Sequence, residues 1–284
     1  MKTIKTLFWV SRPVSWINTA YPFAAGMLVT DAPFTMPLIL GTLFFLIPYN
    51  LLMYGVNDVF DYESDIRNPR KGGLEGAVAP SAQHRTILTW SVGLSLPFAI
   101  YLLTLGAWPA KLWLIILLGL VVGYSAPPLR LKERPVLDSL TSSLHFVGPL
   151  IYALLLQGFP PAAWPAVLAF TAWGMASHAF GAVQDVGPDR AAGIASIATV
   201  FGARRTVWLI MGLYAAAALL VASYGPLGLL VSAATLPYIF NAWQFRHITD
   251  ATADQANAGW RRFIWLNWLA GAVVTMVLIY GGLS

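Results

Sequence analysis

Nine apolar runs of roughly membrane-spanning length recur along this 284-residue chain, and no other feature limits its fold as much. They cover residues 14–30, 36–56, 87–105, 111–126, 139–157, 163–183, 205–222, 226–243 and 263–281. A helix needs about 17–25 residues to cross a bilayer. In lipid, backbone groups have no water to bond, so spanning segments form helices or a closed barrel. The runs are continuous rather than alternating, which excludes the barrel. The expectation is an all-α membrane protein with one domain over residues 1–284. The first run is interrupted by Pro22 and also carries Trp16 and Asn18. Further runs follow it, so it reads as a span and not as a removable signal peptide.

Composition agrees. Only 10% of residues are charged and 58% are hydrophobic, against about 25% and 45–50% in soluble domains. A disordered chain, a secreted disulfide scaffold and an ordinary soluble enzyme are excluded. The absence of Cys removes disulfides, thiolate metal sites and cysteine nucleophiles. The net charge of +5 does not point to nucleic acid, because Lys and Arg crowd into the loops on one side of a membrane protein.

Charge placement tests the map. With the N-terminus in the cytoplasm and nine crossings, 16 of the 17 basic residues fall on the cytoplasmic side, and only Lys111 falls outside. Such asymmetry is the positive-inside pattern, and it places the C-terminus outside. The acids cluster on the cytoplasmic side too, with Asp31 the exception. The chemistry is therefore expected at the cytoplasmic face.

Where the second run ends, the chain reads Asn57-Asp58-Val59-Phe60-Asp61-Tyr62-Glu63-Ser64-Asp65. On a helix Asn57, Asp61 and Asp65 share one face. Like charges at this spacing destabilise a helix. Mg2+ reverses that sign, taking one or two carboxylates and leaving its other positions to water and substrate phosphates. The bland alternative is a solvated acidic helix end. A second pair, Asp185 and Asp189, follows the sixth run, with Gly187-Pro188 between them expected to kink the helix. Two such sites suit a diphosphate bridged by two Mg2+, one on each cluster. Nearby cations fit the same ligand: Arg70 and Lys71 after the first cluster, Arg190 after the second, and Lys132 with Tyr124 and Ser125 in the loop after the fourth run. Arg12, just before the first run, is a further candidate. His145 and His178 are read as packed core residues. Gly119 and Gly123 form a small-xxx-small pair expected at a close helix contact. Pro48, Pro97, Pro149 and Pro237 are expected to kink their helices.

Asn57-xxx-Asp61-xxx-Asp65, Asp185-xxx-Asp189-Arg190, the Tyr124-Ser125-x-Pro-Pro loop and nine spans together resemble the UbiA superfamily of intramembrane prenyltransferases. The resemblance covers essentially the whole chain. It implies a nine-transmembrane-helix bundle with a cytoplasmic cap over a central chamber. It also implies Mg2+-dependent transfer of a prenyl group from its diphosphate to an apolar or aromatic acceptor. Gly187-Pro188 departs from many relatives, which carry an acidic residue before the Gly.

Residues 11–23, 54–73 and 248–251 look like the carotenoid elongase branch. That likeness implies dimethylallyl diphosphate as donor and lycopene as acceptor, with C45 and C50 acyclic carotenoids as products, in a bilayer and with no nucleic-acid partner. The alternatives are an aromatic acceptor of quinone, haem or tocopherol type with a longer prenyl diphosphate, and a transporter. A CDP-alcohol phosphotransferase lacks support, because its Asp-Gly-x-x-Ala-Arg core is missing.

Overall fold

A computed structural model describes residues 2–30, 34–66 and 79–283. All regular secondary structure among them is helical. In chain order the α-helices are α1 (Lys2–Val10), α2 (Trp16–Leu28), α3 (Met36–Leu46), α4 (Pro48–Phe60), α5 (Tyr62–Asp65), α6 (His84–Leu103), α7 (Trp108–Ser125), α8 (Leu137–Leu156), α9 (Trp164–Val183), α10 (Val186–Ala191), α11 (Ile197–Phe201), α12 (Ala203–Ala222), α13 (Gly225–Ala233), α14 (Leu236–Trp243) and α15 (Ala256–Leu283). They form two compact units. One comprises residues 1–131 and 145–160, the other residues 132–144 and 161–284.

Eight stretches among the described residues are long and apolar enough to cross a membrane: Met36–Phe60, Ser81–Leu103, Trp108–Ser125, Leu137–Leu156, Pro161–Val183, Ala203–Ala222, Gly225–Trp243 and Asp250–Gly281. They coincide with the last eight predicted runs. The first run, expected over 14–30, is helical only over the 13 residues of α2. At about 1.5 Å per residue this is roughly 20 Å of helix, short of a hydrocarbon core of about 30 Å. Its start is set by Pro13, which opens a 3-10 turn behind Arg12 at φ 49°. The Thr30 hydroxyl donates to the carbonyls of Gly26 and Met27 and caps its end.

In lipid, helices associate through packing and hydrogen bonds rather than exclusion of water. The first unit shows both. Phe23, Phe44, Phe45, Tyr49 and Tyr152 are fully buried against one another. Pro149 lacks the N–H that would bond the His145 carbonyl, and the Tyr49 hydroxyl donates to that oxygen at 3.1 Å instead. Pro48 separates α3 from α4. Around this break the carbonyl of Phe45 accepts from Thr19 and Asn50, both fully buried. Pro97 lies inside α6, and Pro237 stands in the first turn of α14. The Gly119–Gly123 expectation fails. A Cβ on Gly119 would meet nothing, and one on Gly123 would meet Leu129 in the loop that follows. Close helix approach occurs instead at Gly26, against Leu150 and Ala153.

In the second unit α9 packs along α12, where Ser177 and Tyr214 share a hydrogen bond of 3.2 Å. A Cβ on Gly174 would collide with Ser143 of α8. Asp138, at the start of α8 and fully buried, accepts from the backbone N–H groups of Ser139 and Ile197, each at 2.7 Å. One carboxylate thus ties the start of α8 to the start of α11.

Candidate active site

The first acidic cluster is built by the way α4 ends. Asp61 donates its backbone N–H to the Asn57 carbonyl as a last helical bond, then leaves the helix at φ −98°, ψ −2°. That sparsely occupied bridge region is where many active-site residues sit. Its side chain is 5% exposed. The Asn57 amide nitrogen donates to the Asp61 carboxylate at 2.6 Å and to the Ser125 hydroxyl at 2.9 Å. Ser125 is the last residue of α7 and is 1% exposed. Asn57, Asp61 and Ser125, 68 positions apart at the extremes, are therefore one hydrogen-bonded group. Beside Ser125, the Tyr124 ring stands edge-on to the His145 imidazole at 5.1 Å. Asp65 ends the short helix α5, which continues the chain beyond Asp61. Arg70 and Lys71 lie outside the described residues.

Arg12 meets the same helix. A guanidinium nitrogen lies 2.8 Å from the Asp58 carboxylate, and the group stacks 4.1 Å from the centre of the Tyr54 ring. Asp58 is 2% exposed and Arg12 is half-buried, so the carboxylate end of the pair is the buried one. Arg12 thereby anchors the segment before α2 to the last turn of α4.

The second cluster repeats the local geometry. Helix α9 ends at Val183, and Asp185 stands at φ −96°, ψ 0°, within a few degrees of the Asp61 conformation. Asp189 then donates its N–H to the Asp185 carbonyl at 2.8 Å. The kink expected at Gly187-Pro188 is absent: the break falls at Gln184–Asp185, and α10 runs through Gly187-Pro188. Pro188 sits in the first turn of α10, where a missing N–H costs nothing. Asp185 and Asp189 thus keep their one-turn spacing.

Arg190 is held by its surroundings. One nitrogen lies 2.6 Å from the Asp250 carboxylate and another donates to the Thr199 carbonyl at 2.8 Å. The other Asp250 oxygen accepts from the Ala203 N–H and caps α12. Lys132 is half-buried in a 3-10 turn, Leu131–Glu133. Sequence reasoning about the site missed Asp58, Asp138 and Asp250. Asp138 had a signal, an acid at the edge of the run 139–157, and Asp250 stands in the stretch 248–251.

The donors are all hard oxygens, which suits Mg2+. Among the described residues no group of three or more His, Cys, Asp or Glu comes together. Mg2+ completed by phosphate oxygens and water does not require one. Asn57 presents its nitrogen to Asp61, so cation binding there requires the amide to turn end for end and offer its oxygen.

The family model of the UbiA prenyltransferase family matches residues 19–280. The chain belongs to that family. It is a prenyltransferase and a multi-pass integral membrane protein. Among relatives of this UbiA prenyltransferase is a lycopene elongase/hydratase of Corynebacterium glutamicum, 50% identical over 98% of both chains. Another is the C(50) beta-cyclic carotenoids biosynthesis protein LbtBC of Dietzia sp., 47% identical over 98% of this chain and 65% of that protein. The protein therefore stands close to the C50 carotenoid branch. Its fold is that of a UbiA homolog from Archaeoglobus fulgidus solved with DMAPP and Mg2+, at a TM-score of 0.67 and 21% identity, covering 95% of this chain and 99% of that one. A UbiA homolog from Aeropyrum pernix gives a TM-score of 0.69 at 19% identity, over 93% and 98% of the two chains.

Proposed function

We propose that this prenyltransferase transfers C5 units from dimethylallyl diphosphate to the ends of lycopene, giving C45 and C50 acyclic carotenoids. The observation that carries the acceptor is the 50% identity, over 98% of both chains, to a protein named for acting on lycopene. The donor follows from arithmetic. A C50 product exceeds a C40 acceptor by two C5 units, one for each end. The reaction opens to the cytoplasmic side, where the diphosphate arrives, while the acceptor resides in the bilayer.

Asn57, Asp61 and Asp65 would hold one Mg2+ and Asp185 with Asp189 a second. Bound there, the metal supplies Lewis-acid charge to the leaving diphosphate. Burial of Asp61 and its place at the end of α4 fix the carboxylate before substrate arrives, and such preorganised charge is usually the largest catalytic contribution. Arg70, Lys71, Lys132 and Tyr124 receive phosphate oxygens. Arg12 and Arg190 add positive charge from the positions in which Asp58 and Asp250 hold them. The allylic C–O bond breaks toward the diphosphate, and the terminal double bond of lycopene supplies the electrons of the new C–C bond. The resulting tertiary cation loses a proton or captures water. Exclusion of water until then protects the allylic cation.

The test is to incubate membranes containing the protein with dimethylallyl diphosphate, Mg2+ and lycopene, and to read product masses. New C45 and C50 carotenoids, absent with Asp61→Ala and in strong chelator, are expected. No product from folded protein sinks the carotenoid reading and directs the search to aromatic acceptors with longer prenyl diphosphates.

A further inference from the structure

The second unit carries a group of cations that the prenyl-transfer site does not use. Arg204 and Arg205 open α12, Arg246 follows α14, and Arg261 and Arg262 lie in the second turn of α15. Among the described residues none of the five forms an ion pair. The nearby acids do not neutralise them. Asp250 is occupied by Arg190 and the Ala203 N–H, and Asp254 pairs with none of them.

The cations are joined through two exposed tryptophans. Trp208 stands one turn beyond Arg204 and Arg205, so the three share a helix face. Its ring meets Trp243 edge-on at 5.8 Å. The Arg246 guanidinium stacks 4.4 Å from the centre of the Trp243 ring and donates to the Trp243 carbonyl. Arg262 donates to the neighbouring Gln244 side chain at 2.7 Å. Trp208 is 48% exposed and Trp243 43%. The ends of α12, α14 and α15 thus present one ledge of indole faces and guanidinium groups.

Topology would be satisfied by basic residues anywhere in these loops. It does not require guanidinium groups pinned by stacking and side-chain hydrogen bonds. Nor does it favour two cations in the first turn of α12, at the positive end of the helix dipole. An anion bound across the ledge accounts for both. Exposed Trp marks the headgroup level of a bilayer, and Arg forks match phosphate oxygens.

We propose that this ledge is a binding site for an anionic phospholipid. Its phosphodiester headgroup lies across Arg205, Arg246 and Arg262, and its acyl chains run down past Trp208 and Trp243. Basic sites between transmembrane helices hold anionic headgroups in this manner.

The test uses the full-length protein in nanodiscs of phosphatidylcholine mixed with phosphatidylglycerol, with retained lipid read by native mass spectrometry. Wild type is expected to enrich phosphatidylglycerol. The combined substitution Arg205→Gln, Arg246→Gln and Arg262→Gln is expected to lower that enrichment by about tenfold or more. Prenyl transfer in neutral detergent serves as the folding control and is expected to be retained. If the triple variant is inactive or unfolded, Arg204→Gln with Arg205→Gln is expected to show a smaller loss in the same direction. Equal retention of the two lipids by wild type, or undiminished enrichment in folded variants, overturns the proposal. Release of the lipid by excess inorganic pyrophosphate overturns it as well, and assigns the ledge to a soluble polyphosphate.

Discussion

Asp61 and Ser125 make unequal demands on the first cluster. The Asp61 carboxylate is buried, and the Asn57 amide is aimed at it. Asp61→Asn keeps the volume, removes the charge, and sets an amide against an amide. Turnover is expected to fall by roughly a hundredfold or more, since losing a single preorganised electrostatic group costs that much in other enzymes. The thermal midpoint in detergent is expected to stay near wild type. Near-wild-type turnover from the folded variant would remove Asp61 from the mechanism. Ser125→Ala deletes one acceptor of the Asn57 amide. One neutral hydrogen bond contributes about 0.5–1.5 kcal/mol. The expected loss is therefore severalfold, in turnover more than in diphosphate KM. A loss as large as that of Asp61→Asn would mean that Ser125 contacts the substrate itself. The Asn57–Asp61–Asp65 spacing pointed to this place in the chain. It could not reveal Ser125 as a partner of Asn57, because that contact joins residues 68 positions apart.

At the scale of elements, single carboxylates fix the short helices that carry or flank the second cluster. Asp138 holds the backbone N–H groups of Ser139 and Ile197 with no solvent near. Asp138→Ala leaves both buried donors unsatisfied, at about 1–3 kcal/mol each, and is expected to lower the thermal midpoint by several degrees. A midpoint unchanged within a degree would show that water replaces the carboxylate. Asp250 joins α10 to α12 through Arg190 and the Ala203 N–H. Asp250→Ala is expected to raise the diphosphate KM or the Mg2+ requirement more than it lowers kcat, because it loosens α10 without touching Asp185. A pure kcat loss would place Asp250 in the chemistry instead. Long helices were legible from hydrophobicity and length, whereas these struts were not. Nothing in the spacing of Asp138 and Asp250 points to their partners, which are backbone N–H groups and, for Asp250, also the Arg190 side chain 60 positions away. The break at Pro48 was legible for the same reason as the spans: the missing N–H is a local property. The Gly119–Gly123 pair misled because small residues permit close packing without requiring it.

The number of crossings is a property of the whole molecule, and two observations bear on it. By length alone α2 falls short, and eight stretches qualify among the described residues. Against this, Arg12 precedes α2 and pairs with Asp58 in the last turn of α4. The chain between them leaves and returns to one face, so it crosses an even number of times. With one crossing by the stretch Met36–Phe60, α2, lengthened by the turn before it, is expected to supply the other. Leaving α2 on one side would also put Lys2, Lys5 and Arg12 on the face opposite the remaining cytoplasmic cations, against the positive-inside bias. Because the chain contains no Cys, single cysteines can decide the matter with a membrane-impermeant thiol reagent on intact cells. Thr3→Cys, Ala107→Cys and Ala251→Cys replace exposed residues. Nine crossings require Ala107→Cys to label from outside and both Thr3→Cys and Ala251→Cys to label only after the cells are opened. Labelling of Thr3→Cys from outside, with Ala251→Cys still protected, would establish eight. The Arg12–Asp58 pair would then have to be absent from the protein in its membrane, and the segment before α2 could not reach the helix that bears Asp61.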